Sequence, residues 1–204
     1  MSKYVKYVIF FGCLLLFGFI AVNVYLENDF YSDGAIYDFI SSSIMNDNMT
    51  TFMKIVTWFG GTLGIIIMCI CSMCIIRNKK INISLVICLI AGTLINSVLK
   101  NIFVRIRPNI NPLVEETGYS FPSGHSMMSM VFYGYLIYLI CKYIDNKKLK
   151  YVFVSLLLIL IVSIGFTRIY LGVHYASDVV GGFVFGIFYL ILYIEISKKI
   201  MKKI

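Results

Sequence analysis

Apolar residues run along this chain in six long blocks, not in the alternation of a half-buried strand. The blocks cover roughly Tyr4–Tyr25, Lys54–Ile76, Ile81–Leu99, Ser126–Ile144, Tyr151–Leu171 and Asp178–Ser197. Each is close to the ~20 residues that a helix needs to cross a hydrocarbon core. No water reaches the backbone there, so each block must satisfy its own polar groups, and a helix does that. The pattern predicts an all-α polytopic membrane protein: six transmembrane helices in a bundle, one domain over residues 1–204. The first block is too long for a secretory h-region and no small-x-small cleavage site follows it, so it reads as a retained span. In the first outer loop Ile36, Ile40 and Ile44 recur every four residues among Asp and Ser. A short helix lying in the interface fits that spacing, and so does an irregular loop.

Charge refines the picture. The formal net charge is +8, but the cations gather at the ends of apolar blocks. That placement fits anionic lipid headgroups as neighbours, and not nucleic acid. Counting alternate sides, one side receives Lys3, Lys6, Arg77, Lys79, Lys80, Lys142, Lys147, Lys148, Lys150, Lys198, Lys199, Lys202 and Lys203. The segment from Glu27 to Met53 falls on the opposite side, with Glu27, Asp29, Asp33, Asp38 and Asp47. The positive-inside rule then puts both termini in the cytoplasm of a multi-pass cell-membrane protein. Segments 100–125 and 172–177 fall on the outer side, yet they and their margins carry Lys100, Arg105, Arg107 and Arg168. Cations on that side call for a bound anion. The six cysteines, including Cys69, Cys71 and Cys74, read as small buried thiols, with no His or carboxylate nearby to complete a metal site.

Three polar stretches fall at the same outer face: "KNIFVRIRP" (Lys100–Pro108), "PSGH" (Pro122–His125) and "TRIYLGVHYASD" (Thr167–Asp178). Lys100, Arg107 and Arg168 are cations, and an Arg fork matches a phosphate oxyanion. Pro-Ser-Gly gives a tight turn in which Gly124 lets backbone N–H groups approach an anion and Ser123 adds a hydroxyl. A helix beginning at Ser126, with Ser126 as a candidate cap, would add its N-terminal dipole. His174 and Asp178 are four apart, sharing a face on a helix. A carboxylate on one ring nitrogen leaves the other as a nucleophile, and His125 could protonate a leaving oxygen. These are the parts for phosphoryl transfer without a metal or other cofactor. Each has a simpler reading alone: Lys100 and Arg107 as headgroup anchors, Asp178 as a helix cap.

Together the stretches strongly resemble the type-2 phosphatidic acid phosphatase superfamily of membrane lipid phosphatases. Its pattern is Lys-x6-Arg-Pro, then Pro-Ser-Gly-His, then Ser-Arg-x5-His-x3-Asp. Lys100, Arg107 and Pro108 match the first, Pro122–His125 the second, and Arg168, His174 and Asp178 the third, with Thr167 in the Ser position. The resemblance implies that His174 attacks phosphorus and forms a phosphohistidine, that Asp178 holds it, and that His125 protonates the leaving group. Lys100, Arg107, Ser123, Gly124 and Arg168 would hold the phosphoryl oxygens. It implies no divalent metal, and a lipid phosphate substrate: undecaprenyl pyrophosphate, phosphatidylglycerol phosphate or phosphatidic acid. The motif does not separate a monoester from a pyrophosphate, nor hydrolysis from phosphotransfer to another acceptor. A non-catalytic lipid-phosphate binder would need the cations but no nucleophile. Glu115 and Glu116 lie between two motifs, where they either reach the headgroup or stay in a solvated loop. Oligomeric state is not encoded in any of these patterns.

Overall fold

The computed structural model describes residues 3–28, 30–108 and 111–201; Asp29, Lys202 and Lys203 lie outside the described residues. The described residues form eight α-helices and no strand: α1 Lys3–Tyr25, α2 Tyr31–Ser43, α3 Asp47–Trp58, α4 Thr62–Ile75, α5 Lys79–Phe103, α6 Gly124–Tyr143, α7 Lys147–Tyr170 and α8 Ala176–Met201. Five of them, α1, α5, α6, α7 and α8, are each long and apolar enough to cross a membrane, and α3 with α4 makes a sixth, broken span. The expected all-helical, multi-pass bundle is therefore present. Its outer surface carries Val8, Leu15, Leu63, Leu94 and Val162 in the open, as lipid contact allows.

The segment before α3, expected as loop or short helix, is the helix α2. Only Ile40 of its isoleucine series is fully buried, and it packs with Met53, Ile169 and Tyr170. The block Lys54–Ile76 is not one straight helix. It bends by 56° between α3 and α4. The cause is local: Gly60 and Gly61 follow each other and lower the cost of leaving helical geometry. The break also frees a carbonyl, and the Tyr133 hydroxyl of α6 donates to Phe59 O at 2.8 Å. That is the condition under which a broken helix is tolerated at membrane depth.

The turns that join the spans are built from asparagine caps. Asn46, Asn78 and Asn146 accept from the backbone N–H three residues on, in the first turns of α3, α5 and α7. Each satisfies a donor that the helix start leaves open. α6 is the most buried span, and packs against α5, α7 and α8. Polar links tie it in: Ser84 lies 3.0 Å from the Tyr135 hydroxyl and 3.0 Å from that of Tyr193, joining α5, α6 and α8. At the far end Lys6 pairs with Glu195 at 2.7 Å, bringing the start of α1 beside the end of α8. Not every thiol is internal as expected. Cys69 and Cys88 are buried, but Cys71, Cys74 and Cys141 are exposed, because the outside of a membrane bundle is as apolar as its core.

Candidate active site

The ends of α5 and α7, the starts of α6 and α8, the α5–α6 loop and the α3–α4 break meet at one end of the bundle. A cavity of about 490 Å³ opens there, walled on its polar side by Lys100, Arg107, Glu116, Gly124, His125 and His174. Ser123, Arg168 and Asp178 are fully buried beside it. All eight residues singled out from the sequence thus come together.

His174 lies in the α7–α8 loop, not on a helix as its spacing to Asp178 suggested. α8 starts at Ala176. Asp178 sits in the first turn and reaches back, accepting from Tyr175 N at 2.9 Å. This is the reciprocal half of a capping box. The same Oδ2 lies 3.3 Å from His174 Nδ1. Asp178 is therefore both helix cap and histidine partner. On the other side of the ring, Arg107 Nη1 is 3.1 Å from Nε2. A guanidinium can only donate, so Nε2 accepts and the ring proton sits on Nδ1. Burial pulls the His174 pKa down to about 4, with the Asp178 bond opposing. The imidazole is neutral at pH 7, with its lone pair on Nε2.

The cations are held by backbone. Arg107 donates to Thr117 O, Gly118 O and Val173 O at 2.9–3.0 Å, which fixes the α5–α6 loop against the His174 loop. Burial lowers its pKa, and Glu116 and Asp178 oppose that shift. Lys100 donates to Tyr119 O and, at 3.2 Å, to Ser120 O. Arg168 donates to Glu116 and, at 2.6 Å, to Thr57 Oγ1 of α3. Its Nε has no partner among the described residues although it is buried. Glu116 also lies 3.8 Å from Arg107, so this carboxylate stands among the cations and not in solvent.

Ser123, and not Ser126, is the N-cap of α6: its Oγ accepts from Ser126 N at 3.4 Å and Ser126 Oγ at 3.0 Å. The α6 helix consequently begins two residues earlier than its hydropathy suggested. Gly124 sits in a tight place, since an added Cβ would come within 3.2 Å of Asn96 Oδ1. His125 follows in the first turn, and no described residue hydrogen-bonds its ring. The helix break faces it: a Cβ on Gly61 would lie 3.5 Å from His125 Nε2.

Sequence reasoning missed several participants. Arg105 donates to Asp178 Oδ1 at 2.6 Å, to Ser177 Oγ at 2.7 Å and to Asp33 Oδ2 at 3.0 Å. Ser120 donates to Asp178 as well. Arg105 was visible as an outer-side cation two residues from Arg107, but its partners lie over 70 positions away. Thr57 and the glycine pair were hidden inside an apolar block.

The architecture and this end of the bundle define a helical multi-pass membrane protein with a buried histidine–carboxylate pair facing a cluster of cations. The sequence model of the PAP2 superfamily matches residues 82–202, and the chain belongs to that superfamily. It is 38% identical over 124 residues to phosphatidylglycerophosphatase B of Bacillus subtilis, covering 58% of this chain and 60% of the relative. It is 32% identical over 127 residues to undecaprenyl-diphosphatase of Sulfolobus acidocaldarius, covering 59% and 57%. The matches thus span about three fifths of those relatives' lengths. The crystal structure of a transmembrane PAP2-type phosphatidylglycerolphosphate phosphatase from Bacillus subtilis superposes with a TM-score of 0.79 at 28% identity, covering 95% of this chain and 98% of that one. Aquifex aeolicus LpxE shares the fold, with a TM-score of 0.68 at 24% identity over 82% of this chain and 97% of that one.

Proposed function

We propose that the protein hydrolyses the terminal phosphate of a lipid phosphate or pyrophosphate through a phosphohistidine, at the outer face of the cytoplasmic membrane. The carrying observation is the His174 ring: Nδ1 is held by Asp178 while the Nε2 lone pair lies in the cationic cavity, capped by Arg107. In the first step Nε2 bonds to phosphorus as the bond to the leaving oxygen breaks, and His125 gives that oxygen a proton. In the second, water loses a proton to His125 and attacks phosphorus, the P–N bond breaks, and phosphate leaves. Arg107, Lys100 and Arg168 stabilise the equatorial charge, and the unpaired Arg168 Nε–H gains an acceptor. Ser123 Oγ caps α6 as an acceptor, which leaves its hydroxyl proton to donate to a phosphoryl oxygen beside Gly124.

The rest of the cavity speaks for a lipid. Its apolar part is lined by Ile65 and Ile66 of α4 and by Leu89, Ile90 and Leu94 of α5. Ile66, Ile90 and Leu94 are also exposed on the outside of the bundle, so a tail can lie between α4 and α5 while its phosphate reaches His174. Two relatives are named for phosphatidylglycerophosphate and undecaprenyl diphosphate, which makes these the substrates to try first. The sidedness rests on the cation count: both termini cytoplasmic, the site outside.

The test is phosphate release from both lipids in detergent with EDTA, comparing wild type with His174→Ala. Activity in EDTA that His174→Ala abolishes is expected, with acid-labile phosphate trapped on the wild-type protein. Activity that survives the substitution, or vanishes in EDTA, overturns the mechanism. An impermeant thiol reagent should label Glu116→Cys in intact cells, against a background in which Cys71, Cys74 and Cys141 are replaced by Ser. Labelling only after lysis reverses the orientation.

A further inference from the structure

Arg105 lies outside the motif positions, yet it makes more contacts to buried carboxylates than any cation within them. One guanidinium nitrogen binds Asp178 Oδ1 at 2.6 Å and Ser177 Oγ at 2.7 Å, and the other binds Asp33 Oδ2 at 3.0 Å. Asp33 belongs to α2, and only 6% of it is exposed. It also accepts from Ser177 N at 2.8 Å and Ser177 Oγ at 2.5 Å, the first-turn donors of α8. The Tyr175 ring lies 4.2 Å below the guanidinium. The helix in the first outer loop is thus bolted, through one ion triad, to the turn that carries His174 and Asp178.

We propose that Arg105 and Asp33 form a positioning unit: Arg105 fixes the Asp178 carboxylate behind His174, and Asp33 of α2 fixes Arg105. This deepens the reading of His174 as nucleophile and rests on it. Asp178 Oδ2 is shared by His174 Nδ1, Tyr175 N and Ser120, while Oδ1 is given to Arg105. The division leaves the carboxylate one orientation and splits its charge between imidazole and guanidinium. Without Arg105 the full charge would fall on the imidazole side and hold the ring as imidazolium more strongly. The other groups facing His174 are Arg107 from the α5–α6 loop, Arg168 from α7 and His125 from α6, with Lys100 of α5 and Glu116 on the same cavity wall. None of these changes when Arg105 is replaced, but Asp33 loses its cation, so the Asp33→Asn background separates its own titration from the Arg105–Asp178 interaction.

The test uses the full chain in detergent, with kcat and KM for the better lipid substrate measured from pH 4 to 8, and vanadate inhibition as a check on the anion site. Arg105→Gln is expected to lower kcat about 10- to 100-fold, the range known for outer-shell partners that orient metal-ligating imidazoles, with KM and vanadate inhibition within about twofold of wild type. Its acid limb is expected about one pH unit higher. Arg105→Lys keeps the charge and loses the fork, so its limb stays near wild type while kcat is intermediate; it also decides the matter if Arg105→Gln does not fold. Arg105→Gln with Asp33→Asn is expected to cost little more than Arg105→Gln alone, because coupled partners are not additive. Arg105 variants with wild-type kcat and acid limb, or losses that multiply independently, overturn the unit. His174→Ala run in parallel separates the two claims: activity surviving there removes the nucleophile, whereas its loss beside a normal Arg105→Gln removes only the positioning unit.

Discussion

Replacing Asp178 by Asn tests the site with the smallest change of shape. The carboxylate is wholly buried and takes four donors: Arg105 Nη1 at 2.6 Å, Tyr175 N at 2.9 Å, His174 Nδ1 at 3.3 Å and the Ser120 hydroxyl. Asn offers one oxygen in place of two and turns an NH2 toward the remaining donors. If the oxygen stays with Arg105, the strongest partner, the NH2 faces Nδ1. The ring must then accept at Nδ1 and carry its proton on Nε2, which removes the lone pair from the cavity side and sets an N–H against Arg107 Nη1, now 3.1 Å away. A comparable change behind a catalytic imidazole costs about 10⁴ in kcat, and a loss of about 10³–10⁴ here corresponds to roughly 4–5.5 kcal/mol of transition-state stabilisation. Stability falls as well, by about 3 kcal/mol, the lower end for breaking a buried pair, since Asp33 still holds one arm of Arg105. The assay is phosphate release in detergent, normalised to protein that elutes as a single folded species and still binds vanadate. A folded Asp178→Asn protein within tenfold of wild-type kcat would refute the tautomer argument.

Three further outcomes follow from the same geometry. The His174 pKa falls from the usual 6.5 to about 4 on folding, so its neutral form contributes stability that is whole above pH 6.5 and is lost as pH drops toward 4. The shift is worth about 3 kcal/mol, so the thermal midpoint should decline across that window, and His174→Gln should flatten that part of the curve; an unchanged slope removes the effect. Glu116 sits on Arg107 and Arg168, the cations the proposed function assigns to phosphate, so Glu116→Gln should tighten vanadate inhibition about fivefold, equivalent to about 1 kcal/mol; weaker inhibition would show the carboxylate helping the anion. A Cβ at Gly60 would overlap Ile164 and come within 3.4 Å of the His125 ring, so Gly60→Ala should cost about 1–3 kcal/mol and lower kcat. Gly12→Ala, with open space around it, should do neither, as followed by the fluorescence of Trp58, the chain's single tryptophan beside the break.

What could be read from the sequence was whatever residue identity and spacing carry by themselves. Block length gives spans, and the chemistry of Lys100, Arg107, Arg168 and the two histidines leads to the expectation of a phosphate site. The bend in the second span escaped because apolar content averages smoothly across "WFGGT", although the glycine pair is a visible breaker. Ser123 was read as an anion donor, and the α6 cap was not foreseen because a sequence gives a hydroxyl but not its direction; the fold uses its oxygen as the cap acceptor, a role compatible with donation by the same hydroxyl. The exposure of Cys71, Cys74 and Cys141 was out of reach for a different reason: hydropathy cannot tell core from lipid face when both are apolar. Arg105 was recognised as a cation in need of an anion, but its anions come from the chain itself, Asp33 and Asp178, through pairings that no local pattern specifies.

That pairing changes the charge account at the site. Four cations, Lys100, Arg105, Arg107 and Arg168, meet three carboxylates, Asp33, Glu116 and Asp178. Arg105 absorbs Asp33 and Asp178 in contacts of 3.0 and 2.6 Å, with His174 as the second partner of Asp178. The cavity side keeps Lys100, Arg107 and Arg168, with Glu116 in contact with the two arginines and Asp178 acting on Lys100 and Arg107 from further off. Among the three, Arg168 alone is fully buried, and its Nε–H has no acceptor among the described residues, a costly arrangement for a buried donor. On the proposed function, a phosphate dianion would offer these cations the charged acceptor that their neutral carbonyl partners do not. On the same proposal, the Arg105 triad works by holding Asp33 and one Asp178 oxygen away from Lys100, Arg107 and Arg168, whose other partners are neutral backbone carbonyls, the Thr57 hydroxyl and Glu116.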